Sequence, residues 1–288
     1  MRKGYGMSYT SFIRPVRLSA ETRELAERAK RGEFGKEMAA HFCAYVDDPD
    51  FKNLSYREQF NMCIGAIVEQ DVIRLTDGEW LAGSASFDKA RSHTVPVCVN
   101  RDNPHEVVFP SDSHLTPHFY KILKKGIRGI DAEIEKGKAA HEGDAEALDF
   151  LEQMQITVNY LKRWHQRYLE AIDKKILNTE GAVCERWKIV RKNLERVPYE
   201  PAENFREAIQ SVWLMQFMIN CIGENSLTGR PDNYLYPFYK NDKDKGIITD
   251  DEAAADAVQG EPAQMIAWGV VIVFAHGSKQ MGLIIGSH

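Results

Sequence analysis

The chain has 288 residues, 43% apolar, 27% charged and 10% aromatic, enough to bury one large or two modest cores. Its 37 Lys and Arg stand against 42 Asp and Glu, a formal charge of -5, which gives no basic balance with which to bind a nucleic acid. No apolar stretch follows the basic residues near Met1, and the longest apolar run, Met265 to Ala275, falls far below the roughly 20 residues of a membrane-spanning helix. A cytoplasmic protein with no membrane partner is therefore expected. The five cysteines lie apart without CxxC spacing and read as reduced thiols.

Taken in chain order, Ala20 to Arg31 and Lys36 to Val46 read as helices, the first closed by Gly32. Ser55-Tyr-Arg-Glu58 is a capping box, in which hydroxyl and carboxylate each satisfy the other residue's amide. It predicts a helix start, with Phe60, Ile64, Ile67, Val68 and Val72 on one buried face up to Thr76-Asp-Gly78. From Glu79 to Val108, Gly, Ser, Pro and Asn punctuate short apolar pieces, which predicts loop with brief extended segments.

Helical periodicity returns at Phe119 to Lys136. A long helix follows, with a stripe from Leu148 to Ile176 and a charged opposite face. Another runs from Ala182 to Arg196 and stops before Pro198. A deeply buried helix begins near Glu203, with Phe205, Ala208, Ile209, Val212, Trp213 and Phe217 on a wide apolar face. A last helix is expected to be capped by Asp250, with Asp251 and Glu252 in its first turn. Composition shifts at Gln259-Gly-Glu-Pro262, so residues 1–258 read as a helical portion and 259–288 as an apolar tail of different character. In that tail, Val270 to Phe274 predicts a strand lying on a helical surface or pairing between chains.

His114 and His118 have a spacing that would put two imidazoles on one helical face and suit a transition metal. Pro117 between them favours a loop-to-helix junction instead, and no nearby Cys or carboxylate completes a ligand set, so no metal is assigned. No Walker motif, GxGxxG or HExxH occurs, which leaves P-loop, Rossmann and zincin chemistry without support. Between Pro198 and Ala253, Ser226, Thr228 and Gly229 read as a turn. Arg230-Pro-Asp232 brings two opposite charges close, and Tyr234, Tyr236, Phe238 and Tyr239 form an aromatic anchor. Arg230 and Asp232 read as an ion pair tying a loop to a core.

That stretch resembles the opening part of the glycyl radical enzymes, the pyruvate formate-lyase family. Phe205, Glu207, Ala208 and Gln210 match its Phe-x-Glu-Ala-x-Gln helix. Gly229, Arg230, Asp232, Leu235, Pro237 and Tyr239 match its Gly-Arg-x-Asp-Gln-x-Leu-x-Pro-Tyr-Tyr segment, followed by Asp242, Gly246 and Glu252. Gly78-Glu-Trp-Leu-Ala-Gly83 is similar to its Leu-Val-Gly segment, and His114 to Ile130 to its His-x-x-Pro-Asp-Tyr-x-x-x-Leu-x-x-Gly stretch. His118 replaces an Asp, Pro231 a larger apolar residue and Asn233 a Gln.

The resemblance implies a mainly α architecture with a few short strands, the helical N-terminal portion of an α/β barrel. It also implies an enzyme of lyase or formate acetyltransferase type in anaerobic metabolism, acting on a small-molecule substrate by C–C, C–O or C–N bond cleavage. Such an enzyme uses no bound cofactor but a protein glycyl radical, installed by a partner, a radical SAM iron-sulfur activating enzyme. The radical passes to a cysteine, whose thiyl abstracts hydrogen from substrate. This sequence has no Arg-Val-x-Gly-Tyr segment and no cysteine in a Gly-Cys-x-Glu setting. The expectation is therefore an N-terminal fragment, truncated or frameshifted and inactive alone, with no catalytic residue of its own and Arg230, Asp232, His114 and His118 as substrate-pocket or structural candidates. The alternative is a non-catalytic helical scaffold or binding protein derived from that fold. Homo-oligomer formation is left open.

Overall fold

The computed structural model describes residues 20–31, 33, 49–70, 73–83, 98–99, 107–108, 116–221, 229–250, 252–253, 270–273 and 282–285. The expected helix over Lys36 to Val46 lies outside them, as does His114. Described helices are α1 (Ala20–Lys30), α2 (Pro49–Asn53), α3 (Tyr56–Gln70), α4 (Phe119–Ala140), α5 (Ala145–Leu177), α6 (Gly181–Arg196), α7 (Phe205–Cys221) and α8 (Pro231–Asp244). Two short ladders are antiparallel: Cys98–Val99 with Val107–Val108, and Val270–Val273 with Gly282–Ile285. The apolar tail strand thus has its partner within the same tail. No described helix is long and apolar enough to cross a membrane.

The capping box forms as its spacing requires. Ser55 N donates to Glu58 Oε2 at 2.7 Å and Glu58 N to Ser55 Oγ at 3.4 Å, which starts α3. Asp144 starts α5 in the same manner by accepting from Ala147 N at 3.1 Å. α5 is the spine, against which α3, α4 and α6 all pack. Ile64 and Val68 of α3, Trp164, Tyr168 and Ile172 of α5, and Trp187, Val190 and Leu194 of α6 close one core with Phe217 of α7. A second core joins Phe119, Leu123 and Ile127 of α4 to Phe205 and Ile209 of α7 and Tyr234 and Leu235 of α8. α7 contributes to both cores, which explains its wide apolar face.

Periodicity alone predicts an unbroken helix from Phe119, but α4 breaks at Gly126, whose φ of 63° and ψ of 177° only glycine adopts readily. The amides freed on its far side go elsewhere: Ile127 N donates to Pro198 O at 2.9 Å and Arg128 N to Tyr199 O at 3.0 Å. In return Ala202 N donates to Leu123 O at 3.1 Å. Residues 198–202 therefore form a strap laid into the break, so close that a β-carbon at Gly126 would lie 2.3 Å from Tyr199 O. Glu133 reaches back across the break to Lys121, at 2.5 Å, and Lys125, and these two ammonium groups hold its carboxyl down at about 2.

One element was not foreseen and one cap is corrected. Pro231 to Asp244 is a helix, an element that the reading of Tyr234, Tyr236, Phe238 and Tyr239 as an aromatic anchor had not assigned. Pro231 occupies the first turn, where its missing amide costs nothing, and Pro237 is tolerated inside a helix packed against α7. The cap of the last turn is Thr249, not Asp250: Glu252 N donates to Thr249 Oγ1 at 3.2 Å and Thr249 N to Glu252 Oε2 at 2.9 Å. Asp250 instead accepts from Tyr239 OH and Lys243 Nζ, each at 2.6 Å.

Candidate functional site

The segments singled out by resemblance are far apart in the chain, and the fold fastens them to one another. Gln210 is fully buried in α7 and its amide pairs with the backbone of Ala82 on both sides. Ala82 N donates to Gln210 Oε1 at 2.7 Å, and Gln210 Nε2 donates to Ala82 O at 3.0 Å. One turn on, Trp213 Nε1 donates to Gly83 O at 3.0 Å. Gln210 thus acts on residues 81–83 as a neighbouring strand would, supplying one donor and one acceptor to a buried peptide.

At the start of α7, Asn204 Oδ1 accepts from Glu207 N at 2.9 Å, and Glu207 Oε2 accepts from Glu203 N at 2.8 Å. The next exposed-end amide, Phe205 N, donates to Asp242 Oδ2 at 2.8 Å, and Asp242 is only 3% exposed. A carboxylate from α8 therefore caps α7, where the helix dipole favours it. Tyr239 packs its ring edge-on to Phe205 at 5.7 Å. Burial, and then the Asp250 carboxylate it donates to, push the Tyr239 hydroxyl above its ordinary value.

The α4 and α8 beginnings meet at a third junction. A β-carbon at Gly229, whose φ is 68°, would lie 2.5 Å from Thr116 Cγ2, and the Phe119 and Tyr234 rings stand 5.9 Å apart. Each helix has a basic or titratable N-cap without a side-chain cap bond, His118 for α4 and Arg230 for α8. Both are exposed, and the His118 ring stacks on Tyr120 at 6.4 Å.

Of the four candidate residues, the fold thus brings His118 and Arg230 to neighbouring helix starts. Arg230 is exposed; the Asp232 side chain and His114 lie outside the described residues. Among the described residues no three His, Cys, Asp or Glu side chains converge as metal ligands. Sequence reasoning missed the Trp213 to Gly83 bond, the Thr116 to Gly229 contact and the buried His165, because each depends on a partner distant in the chain.

This helical assembly is built around an interior glutamine, Gln210, and an aspartate, Asp242, that caps a central buried helix. A family model described as Pyruvate formate lyase-like matches residues 106–256, and the chain belongs to that family. It is 31% identical over 155 residues to the isethionate sulfite-lyase of Desulfovibrio desulfuricans, covering 50% of this chain and 18% of that protein. To the isethionate sulfite-lyase of Oleidesulfovibrio alaskensis it is 26% identical over 215 residues, covering 71% of this chain and 24% of the relative. Its fold is similar to the glycerol-bound B12-independent glycerol dehydratase from Clostridium butyricum, with a TM-score of 0.68 at 17% identity, over 85% of this chain and 39% of that one. The chain therefore spans no more than about a quarter of these curated relatives.

Proposed function

We propose that this chain forms the helical portion of a glycyl radical enzyme that cleaves a C–C, C–O or C–N bond in a small polar molecule in the cytoplasm. The lyase and dehydratase activities named for its relatives support a removal reaction over acyl transfer. The observation that carries the reading is the mutual fastening of the family-like segments: Gln210 on Ala82, Asp242 on Phe205 and Thr116 on Gly229.

In the whole enzyme the chemistry is hydrogen abstraction by a cysteine thiyl, drawn from a glycyl radical that a radical SAM activating enzyme installs. The 288 residues contain neither loop motif, so the chain alone supplies walls and not the radical. The test is electron paramagnetic resonance after anaerobic incubation with an activating enzyme and S-adenosylmethionine. No glycyl doublet on this chain and no turnover of isethionate or glycerol are expected. A doublet assigned to one of its glycines would overturn the reading that these residues supply walls without the radical.

A further inference from the structure

Glu21 and Leu25 are four residues apart and so share a face of α1. Both converge on Gly78, in the segment that leads to Ala82. A β-carbon at Gly78 would lie 3.4 Å from Glu21 Oε1, 3.7 Å from Arg186 Nη1 and 3.8 Å from Leu25 Cδ2. Arg186 Nη1 of α6 donates to Glu21 Oε1 at 3.1 Å. Leu25, 5% exposed, is the one buried side chain among those described in α1. The ion pairs of Arg31 with Glu24, at 3.1 Å, and of Arg28 with Glu33, at 2.9 Å, stay within residues 20–33 and fasten α1 to nothing beyond itself.

The segment that α1 meets is carried from its other sides by the larger helices. Asp77 accepts from Trp187 Nε1 of α6 at 3.1 Å and from Lys175 Nζ of α5 at 2.9 Å. The Trp80 ring receives the guanidinium groups of Arg186 at 4.8 Å and of Arg206, in α7, at 5.4 Å. Ala82 is fastened to Gln210 of α7. Between these points the turn closes on itself, with Thr76 N donating to Glu79 Oε2 and Glu79 N to Thr76 O, each at 3.2 Å. Arg186 is thus shared between the turn, through Trp80, and α1, through Glu21.

We propose that α1 is a detachable strap: it closes on the turn at Gly78 and leaves as a unit, opening Thr76 to Trp80 while α5, α6, α7 and the Ala82 fastening stay assembled. An isolated helix of 11 residues is marginal in water, so undocking and unwinding are one event. One buried leucine and one largely exposed carboxylate are weak moorings beside the cores that hold α5 to α7, which places this opening at the low end of the range of local unfolding. Release takes the Glu21 carboxylate from Arg186 and leaves two guanidinium groups at Trp80 without it.

Amide hydrogen exchange of the whole chain, with and without Leu25→Ala, tests the strap. In the wild type, α1 is expected to exchange at least about tenfold faster than α5 and α6. Leu25→Ala is expected to speed α1 by about tenfold or more, and the amides of Thr76 and Glu79 with it, while Ala82 and α5 to α7 keep their protection. Protection of α1 equal to that of α5, or no response of α1 to Leu25→Ala, overturns the strap. A response confined to α1 overturns it by denying closure on Gly78, and one that spreads to Ala82 and α5 does so by making α1 part of the core. If Leu25→Ala does not fold, Glu21→Gln decides. A rise of about threefold in α1, shared by Thr76 and Glu79, supports the proposal, and no rise overturns it.

Discussion

The side chain of Gln210 completes both backbone hydrogen bonds of Ala82, 128 positions away in the chain. Local structure cannot supply these partners, because residues 81–83 belong to no ladder among the described residues. Gln210→Ala should therefore leave a buried N–H and a buried C=O unpaired, a loss of about 2–5 kcal/mol by denaturant titration. Gln210→Glu, able to accept from Ala82 N but not to donate to Ala82 O when ionised, should also destabilise. An unchanged midpoint in the alanine variant would mean that residues 81–83 find partners elsewhere.

Gly126→Ala tests the break in α4. The substitution meets both a glycine-only backbone conformation and the carbonyl of Tyr199. A destabilisation of about 3–5 kcal/mol is expected, with loss of amide protection at Ile127 and Arg128. Alanine tolerated without change in the thermal melt would show that the strap yields easily.

Removing the carboxylate that caps α7 should cost less. Asp242→Ala deletes the acceptor for Phe205 N, a loss of about 1–2 kcal/mol, whereas Asp242→Asn keeps an acceptor and should lie between the two. Circular dichroism melts of the three proteins provide the comparison, and an alanine variant as stable as the wild type would show that the carboxylate does not cap α7.

Deleting Gly260 to His288 should raise solubility and leave the far-UV helical signal of the remaining residues intact. The deleted stretch holds the uncharged run Val270 to Phe274, whose strand pairs with Gly282–Ile285 inside the same deletion. Collapse of the helical signal would make the tail part of the core and move the boundary placed near Gln259.

What the sequence made legible was what its neighbours in the chain decide. Ser55 and Glu58 are three residues apart, so the capping box could be read directly, and the stripes of α5 and α7 follow from periodicity. The break at Gly126 was hidden because residues 198–202 satisfy it. α8 was hidden because Pro237 reads locally as a breaker, although packing on α7 outweighs its missing amide. Resemblance located Gln210 and Asp242 as positions, but which backbone groups they serve emerged only when the segments were brought together.

The strap at Gly126 also sets an order of events during synthesis. All of α4 leaves the ribosome well before Pro198 and Tyr199 are made, and until they arrive water must serve the amides of Ile127 and Arg128. The two halves of the helix can each wind, but the angle between them stays undefined, since closure over so long a separation is entropically costly. A nascent chain arrested before Ala202 should thus present α4 as two hinged rods, and the second core, built on Phe119, Leu123 and Ile127, can set only after α6 and α7 have emerged.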